Sequence, residues 1–92
     1  MAFAGFEKYK LRGRMEIKES IGALVRQHRI TRKWIQDKLS SEAGINNRFL
    51  QKIEAGDRMP SLVIVFKIAN AFGISPDKLL MPIWKEWLKN KD

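Results

Sequence analysis

Four side chains within six residues, Asn47, Arg48, Gln51 and Lys52, carry chemistry suited to the edge of a nucleic-acid base. Asparagine and glutamine amides can pair two-fold with an adenine edge, arginine or lysine can do so with guanine, and either cation can hold a phosphate. None of the four is an acid. At about 100° per residue they fall on one side of a helix, and Phe49, Leu50 and Ile53 fall on an arc of about 100° opposite. The same four would equally suit the solvated side of an ordinary amphipathic helix. Their company favours the groove: a sharp corner, a short preceding helix and a basic chain.

The elements that must present them lie between Gln36 and Gly56. Leu39 and Ala43 stand four apart and share the inward side of a first short helix. Gly44 ends that helix, because it accepts a left-handed backbone that a β-carbon resists. Asn46 is a strong N-cap type and can start the second helix.

This pattern resembles the helix-turn-helix domain of the phage repressor and Cro type, the XRE-like family. The matching residues are Gln36, Leu39, Ala43, Gly44, Ile45, Asn46, Leu50, Ile53, Glu54 and Gly56, then Pro60 and Ser61, then Ile68, Ala69, Ala71, Phe72, Gly73, Ile74, Leu79 and Leu80. The resemblance runs from about Ile21 to Leu80. It implies an all-α, five-helix bundle that reads double-stranded DNA, commonly as a homodimer on two half-sites about 34 Å apart. It also implies a structural ion pair between Arg29 and Glu54, and a contact of Gln36 with the DNA backbone. The chain departs from the family at Lys33, where glycine is usual, and at Ile35, where a capping residue is usual. Ile35 cannot cap, so the second helix either starts uncapped or begins earlier, with Thr31 as its cap. His28 stands at a family aliphatic position and reads as a packing residue; no second histidine exists to build a metal site.

Ninety-two residues permit one domain with a modest core. The chain lacks cysteine, which leaves helix packing to hold the fold and suits a reducing, cytoplasmic setting. Its formal charge of +8 favours a polyanion, with nucleic acid before an acidic membrane, since no apolar run approaches the roughly 20 residues needed to span one. Residues 1–15 form a basic and aromatic arm in which Lys8, Lys10, Arg12 and Arg14 alternate with Tyr9, Leu11 and Gly13. The arm could lie along phosphates, add a strand to a partner, or be an ordinary chain end.

Residues 16–81 are expected to hold the helix-turn-helix domain. From about Met15, Ile17, Ile21, Leu24, Val25 and His28 mark the inward face of the first helix, with Arg32 and Lys33 extending positive charge beyond it. Ser61 can cap a later helix whose Leu62, Val65, Phe66, Ala69 and Phe72 are expected at the centre of the core. Gly73 stops that helix, and Ser75 and Pro76 start the last one of the domain. Residues 82–92 read as a further short amphipathic helix. Its Trp84, Trp87 and Leu88 either cover the core or meet a second subunit.

No thiol, no paired histidines and no phosphate-cradling glycine loop support a catalytic reading, and no cofactor or metal is expected. The expected function is sequence-specific regulation of transcription, most simply repression. Asn47, Arg48, Gln51 and Lys52 would face bases, and Gln36, Asn46 and Arg58 would face phosphates. The alternative is a protein-interaction module on the same fold, such as an antitoxin or a bridging adaptor.

Overall fold

The computed structural model describes residues 16–90, so the N-terminal arm at 1–15 and the last two residues lie outside the described part. Five helices follow one another: α1 (Ile17–Thr31), α2 (Gln36–Ala43), α3 (Asn47–Glu54), α4 (Leu62–Phe72) and α5 (Pro76–Asn90). No strand occurs among the described residues. The fold is the all-α bundle expected. None of the described helices is long and apolar enough to cross a membrane.

Each helix contributes a strip of aliphatic residues to one core. Leu24, Val25, Leu39, Leu50, Ile53, Ile68 and Leu79 are almost fully buried there. Burying side chains of this size contributes roughly 1.5–3 kcal/mol each. α3 is held from two sides: Leu50 and Ile53 are wholly inaccessible, and α1 and α2 pack against it.

Two expectations about the core are corrected. On α4 the inward residues are Val65, Ile68, Ala69 and Phe72, whereas Leu62 and Phe66 are 62% and 48% exposed. The helix is apolar almost all round, so helical periodicity alone did not select its buried side. At the C-terminus, residues 82–90 are no separate helix, because α5 runs unbroken through Pro82. A proline inside a helix costs about 3 kcal/mol, since it removes one hydrogen bond and crowds the preceding turn. Leu79 and Ile83, four apart and both buried on the same side, anchor the helix before and after the proline and offset that cost.

The first four helices all end in the same way. The amide of Trp34 donates to the Arg29 carbonyl at 3.1 Å, Ile45 to Ser40 at 3.0 Å, Asp57 to Lys52 at 2.9 Å and Ile74 to Ala69 at 3.1 Å. This closing bond requires a left-handed residue just before the donor. Gly44, Gly56 and Gly73 supply it in three cases, and Lys33, at φ 60°, in the fourth. A residue with a β-carbon is strained there by roughly 1–2 kcal/mol. Lys33→Gly is therefore expected to stabilise the fold by about 0.5–1 kcal/mol, after the larger chain entropy of glycine is subtracted. An unchanged or lowered urea midpoint would show that Lys33 makes a compensating contact.

Arg32 does not extend a positive surface, as its sequence position suggested. Its guanidinium donates to the carbonyls of His28 at 2.9 Å and Phe72 at 3.0 Å, tying the C-terminal ends of α1 and α4 together. It also lies 4.6 Å from the centre of the Phe72 ring, on which His28 stacks at 5.4 Å. Because arginine can only donate, its 3.3 Å approach makes the His28 Nδ1 an acceptor and leaves the proton on Nε2. Burial, then the Arg32 charge, lowers the His28 pKa to about 4, so the ring packs as a neutral group.

Candidate nucleic-acid interface

The corner between α2 and α3 is built by two local devices. Gly44 adopts φ 68° and ψ 39° with open space where a β-carbon would sit, so the requirement is for the backbone angle alone. Asn46 then caps α3 by accepting from the Phe49 amide at 3.0 Å. That bond uses the Asn46 side-chain oxygen and leaves its amide nitrogen in solvent.

On α3 itself, Arg48, Gln51 and Lys52 stand exposed, opposite the buried Leu50 and Ile53. Asn47 differs. It is half-buried between α2 and α3, and its Oδ1 is enclosed with no hydrogen-bond partner. It borders an open cleft of about 300 Å³ shared with Ile35, Gln36, Asp37 and Gln51. Its NH2 group is the part of the side chain left to act outside.

Behind this face lies an ion pair that fixes three helices. Arg29 Nε donates to Glu54 Oε2 at 2.8 Å and Nη2 to Oε1 at 2.9 Å, while Nη1 reaches the Trp34 carbonyl at 2.7 Å. The side chains are 12% and 3% exposed. Two parallel bonds to one carboxylate define an angle as well as a distance, so α3 is set in orientation against α1. Gln36 joins the cluster, donating Nε2 to Glu54 Oε1 at 3.0 Å. The first residue of α2 is thereby tied to the last residue of α3.

α2 begins without a side-chain cap, the first of the two starts considered, with the Ile35 side chain largely in solvent. Its leading amides remain open at the positive end of the helix, beside Gln36. Arg58, in the segment between α3 and α4, is exposed. Trp84 and Trp87 of α5 are about half exposed and Leu88 somewhat less.

A family model described as helix-turn-helix matches residues 25–79, more than half of the chain, and spans α2, the Gly44 corner and α3. The chain belongs to the helix-turn-helix family of the XRE type. Among helix-turn-helix relatives, it is 24% identical over 68 residues to the uncharacterized HTH-type transcriptional regulator y4dJ of Sinorhizobium fredii (strain NBRC 101917 / NGR234); the match covers 74% of this chain and 88% of that one. The restriction-modification controller protein C.AhdI from Aeromonas hydrophila superposes with a TM-score of 0.65 at 29% identity, over 67% of this chain and 94% of the controller. A hypothetical transcription factor from Neisseria, NHTF, superposes with a TM-score of 0.69 at 22% identity over 83% of this chain and 86% of its own, a likeness of fold.

Two residues behind and beside the helix-turn-helix face were missed by sequence reasoning. Gly22, buried on α1, lets the α3 backbone approach so closely that a β-carbon would lie 2.1 Å from the Ile53 carbonyl oxygen. A glycine inside a helical pattern is itself a signal of close approach. Arg26, exposed on α1, borders the Arg29–Glu54 cluster, and nothing in its local sequence distinguishes it from a solvated arginine.

Proposed function

We propose that this protein regulates transcription by binding a specific double-stranded DNA sequence, most simply as a repressor, with α3 in the major groove. The observation that carries this reading is the exposed, acid-free face of Arg48, Gln51 and Lys52 on a helix clamped by Arg29 and Glu54. Reading base edges demands side chains that reach outward from a support that does not yield. Asn47 joins them through its NH2 group. Gln36, Asn46 and Arg58 flank the face and meet phosphates, and the open amides of α2 suit the same anions. The resemblance to a controller protein and to an HTH-type regulator supports a regulatory rather than a catalytic role.

The reader is a homodimer in this proposal. Trp84, Trp87 and Leu88 leave an apolar strip on α5, and Leu62, Val63 and Phe66 leave another on α4. Tryptophan in such a strip is a strong anchor for a second copy, and two copies related by a two-fold axis would meet two half-sites.

The test is a titration with duplexes selected from a random pool. Arg48→Ala is expected to weaken binding to the selected site by about 1–3 kcal/mol and to flatten preference at one base position. Unchanged affinity together with unchanged preference would remove α3 from the groove. Capture of a protein partner at full strength by the same variant would then favour the adaptor reading.

A further inference from the structure

The cleft bordered by Asn47 and Gln51 does not end at α2. It adjoins a second open cleft of about 360 Å³, lined by Arg26, Arg29, Gln36, Gln51, Glu54 and Ala55, with Gln36 and Gln51 common to both. Gln36 and Gln51 thus stand between the cleft at the α3 face and the one that reaches α1.

The charges in the second cleft are unequal in access. Glu54 is its one acid, and that carboxylate is 3% exposed and already accepts three hydrogen bonds, two from Arg29 and one from Gln36. Arg29 is spent on Glu54 and on the Trp34 carbonyl. Arg26 lies one turn earlier on α1, on the same side as Arg29, exposed and with no hydrogen bond or ion pair among the described residues. The charge that a ligand meets is therefore that of Arg26. Beside it are neutral groups able to donate: the second N–H of Gln36 and the exposed amide of Gln51.

We propose that this cleft seats a backbone phosphate of duplex DNA, with the Arg26 guanidinium as its cation and the free N–H of the Gln36 amide as a neutral donor. The planar fork of arginine suits two oxygens of a phosphodiester. The proposal rests on the groove reading above. It extends the footprint past the bases facing α3 to a phosphate held from α1, a contact that secures position without reading sequence.

Binding of the full chain to a duplex selected from a random pool, followed across a salt series, tests it. Arg26→Gln is expected to reduce the slope of log K against log salt by about one and to weaken binding roughly five- to tenfold at about 0.1 M salt, with base preference intact. Arg26→Lys should keep the slope and lose part of the affinity. Lys85→Gln removes the same charge from α5, away from the cleft, and sets the change due to net charge alone. A slope for Arg26→Gln equal to that of Lys85→Gln would overturn the phosphate seat while leaving the groove reading standing, and so would a changed base preference. A native chain that binds no selected duplex would overturn the groove reading itself. Because Arg26 is exposed, unchanged melting of both variants would confirm that folding is not what is measured.

Discussion

Gly22→Ala is expected to destabilise the protein by about 3 kcal/mol or more, although the substitution improves helix propensity by about 1 kcal/mol. The new methyl group would sit 2.1 Å from the Ile53 carbonyl oxygen and 3.1 Å from that of Glu54. Both neighbours are backbone atoms and have no rotamer to turn away. α1 and α3 must therefore separate, and the wholly buried Leu50 and Ile53 lose contact with α1. For a domain of this size a loss of about 3 kcal/mol corresponds to a fall in Tm of roughly 12–24 °C. Gly44→Ala is the contrasting case, since no atom lies within 4 Å of its β-position and only the backbone angle resists it. A Gly22→Ala protein that melts at or above the native temperature would show that propensity prevails and that the close approach is not needed.

Glu54→Ala is expected to cost about 3–5 kcal/mol, because it leaves the Arg29 guanidinium, 12% exposed, without its carboxylate. The Gln36 amide loses its acceptor in the same step. Replacing both Arg29 and Glu54 by methionine should be milder than the sum of the two single losses, since the stranded charge disappears with its partner. Urea unfolding of the native protein, Arg29→Met, Glu54→Met and the double variant forms the required cycle. Additive losses would mean that the two side chains act independently, and the clamp would be reduced to a coincidence of geometry. The single variant should also lose DNA affinity beyond what its stability accounts for, as Gln36 is released from its position at the start of α2.

The turn chemistry was legible in the chain because it is local. Gly44, Asn46, Ser61 and Gly73 act through their own backbone angles or through a bond to an amide three residues away, and each does so in the structure. The inward face of α3 was legible for a similar reason, since polar residues mark its outer side, but that of α1 only in part: Ile17, expected inside, is 43% exposed at the start of the helix, whereas Gln27 is buried. α4 offers no such contrast: Leu62, Val63 and Phe66 are as apolar as Val65 and Ile68, and only the neighbours decide which are covered. The continuity of α5 was hidden because the rule that proline breaks helices is local, whereas Leu79 and Ile83 restore the helix through distant contacts. Arg32 and Gly22 were obscured likewise. One reaches a carbonyl forty residues away, which no spacing along the chain announces; the other meets a different helix, and a glycine within a helical pattern signals a close approach without naming the partner. At the interface, the outward reach of Arg48, Gln51 and Lys52 followed from periodicity, but the retreat of Asn47 depends on the neighbouring start of α2.

The unbroken passage of α5 through Pro82 makes Trp84 and Trp87 part of a stiff lever rooted in the core at Leu79 and Ile83. Two subunits joined through such levers would carry their DNA-facing helices at a fixed separation and phase. One inserted base pair advances a duplex by about 3.4 Å and turns it as well, a mismatch that a hinged tail would absorb and a rigid one would reject. Discrimination by the gap between half-sites would then arise from the last helix, which need not touch DNA at all.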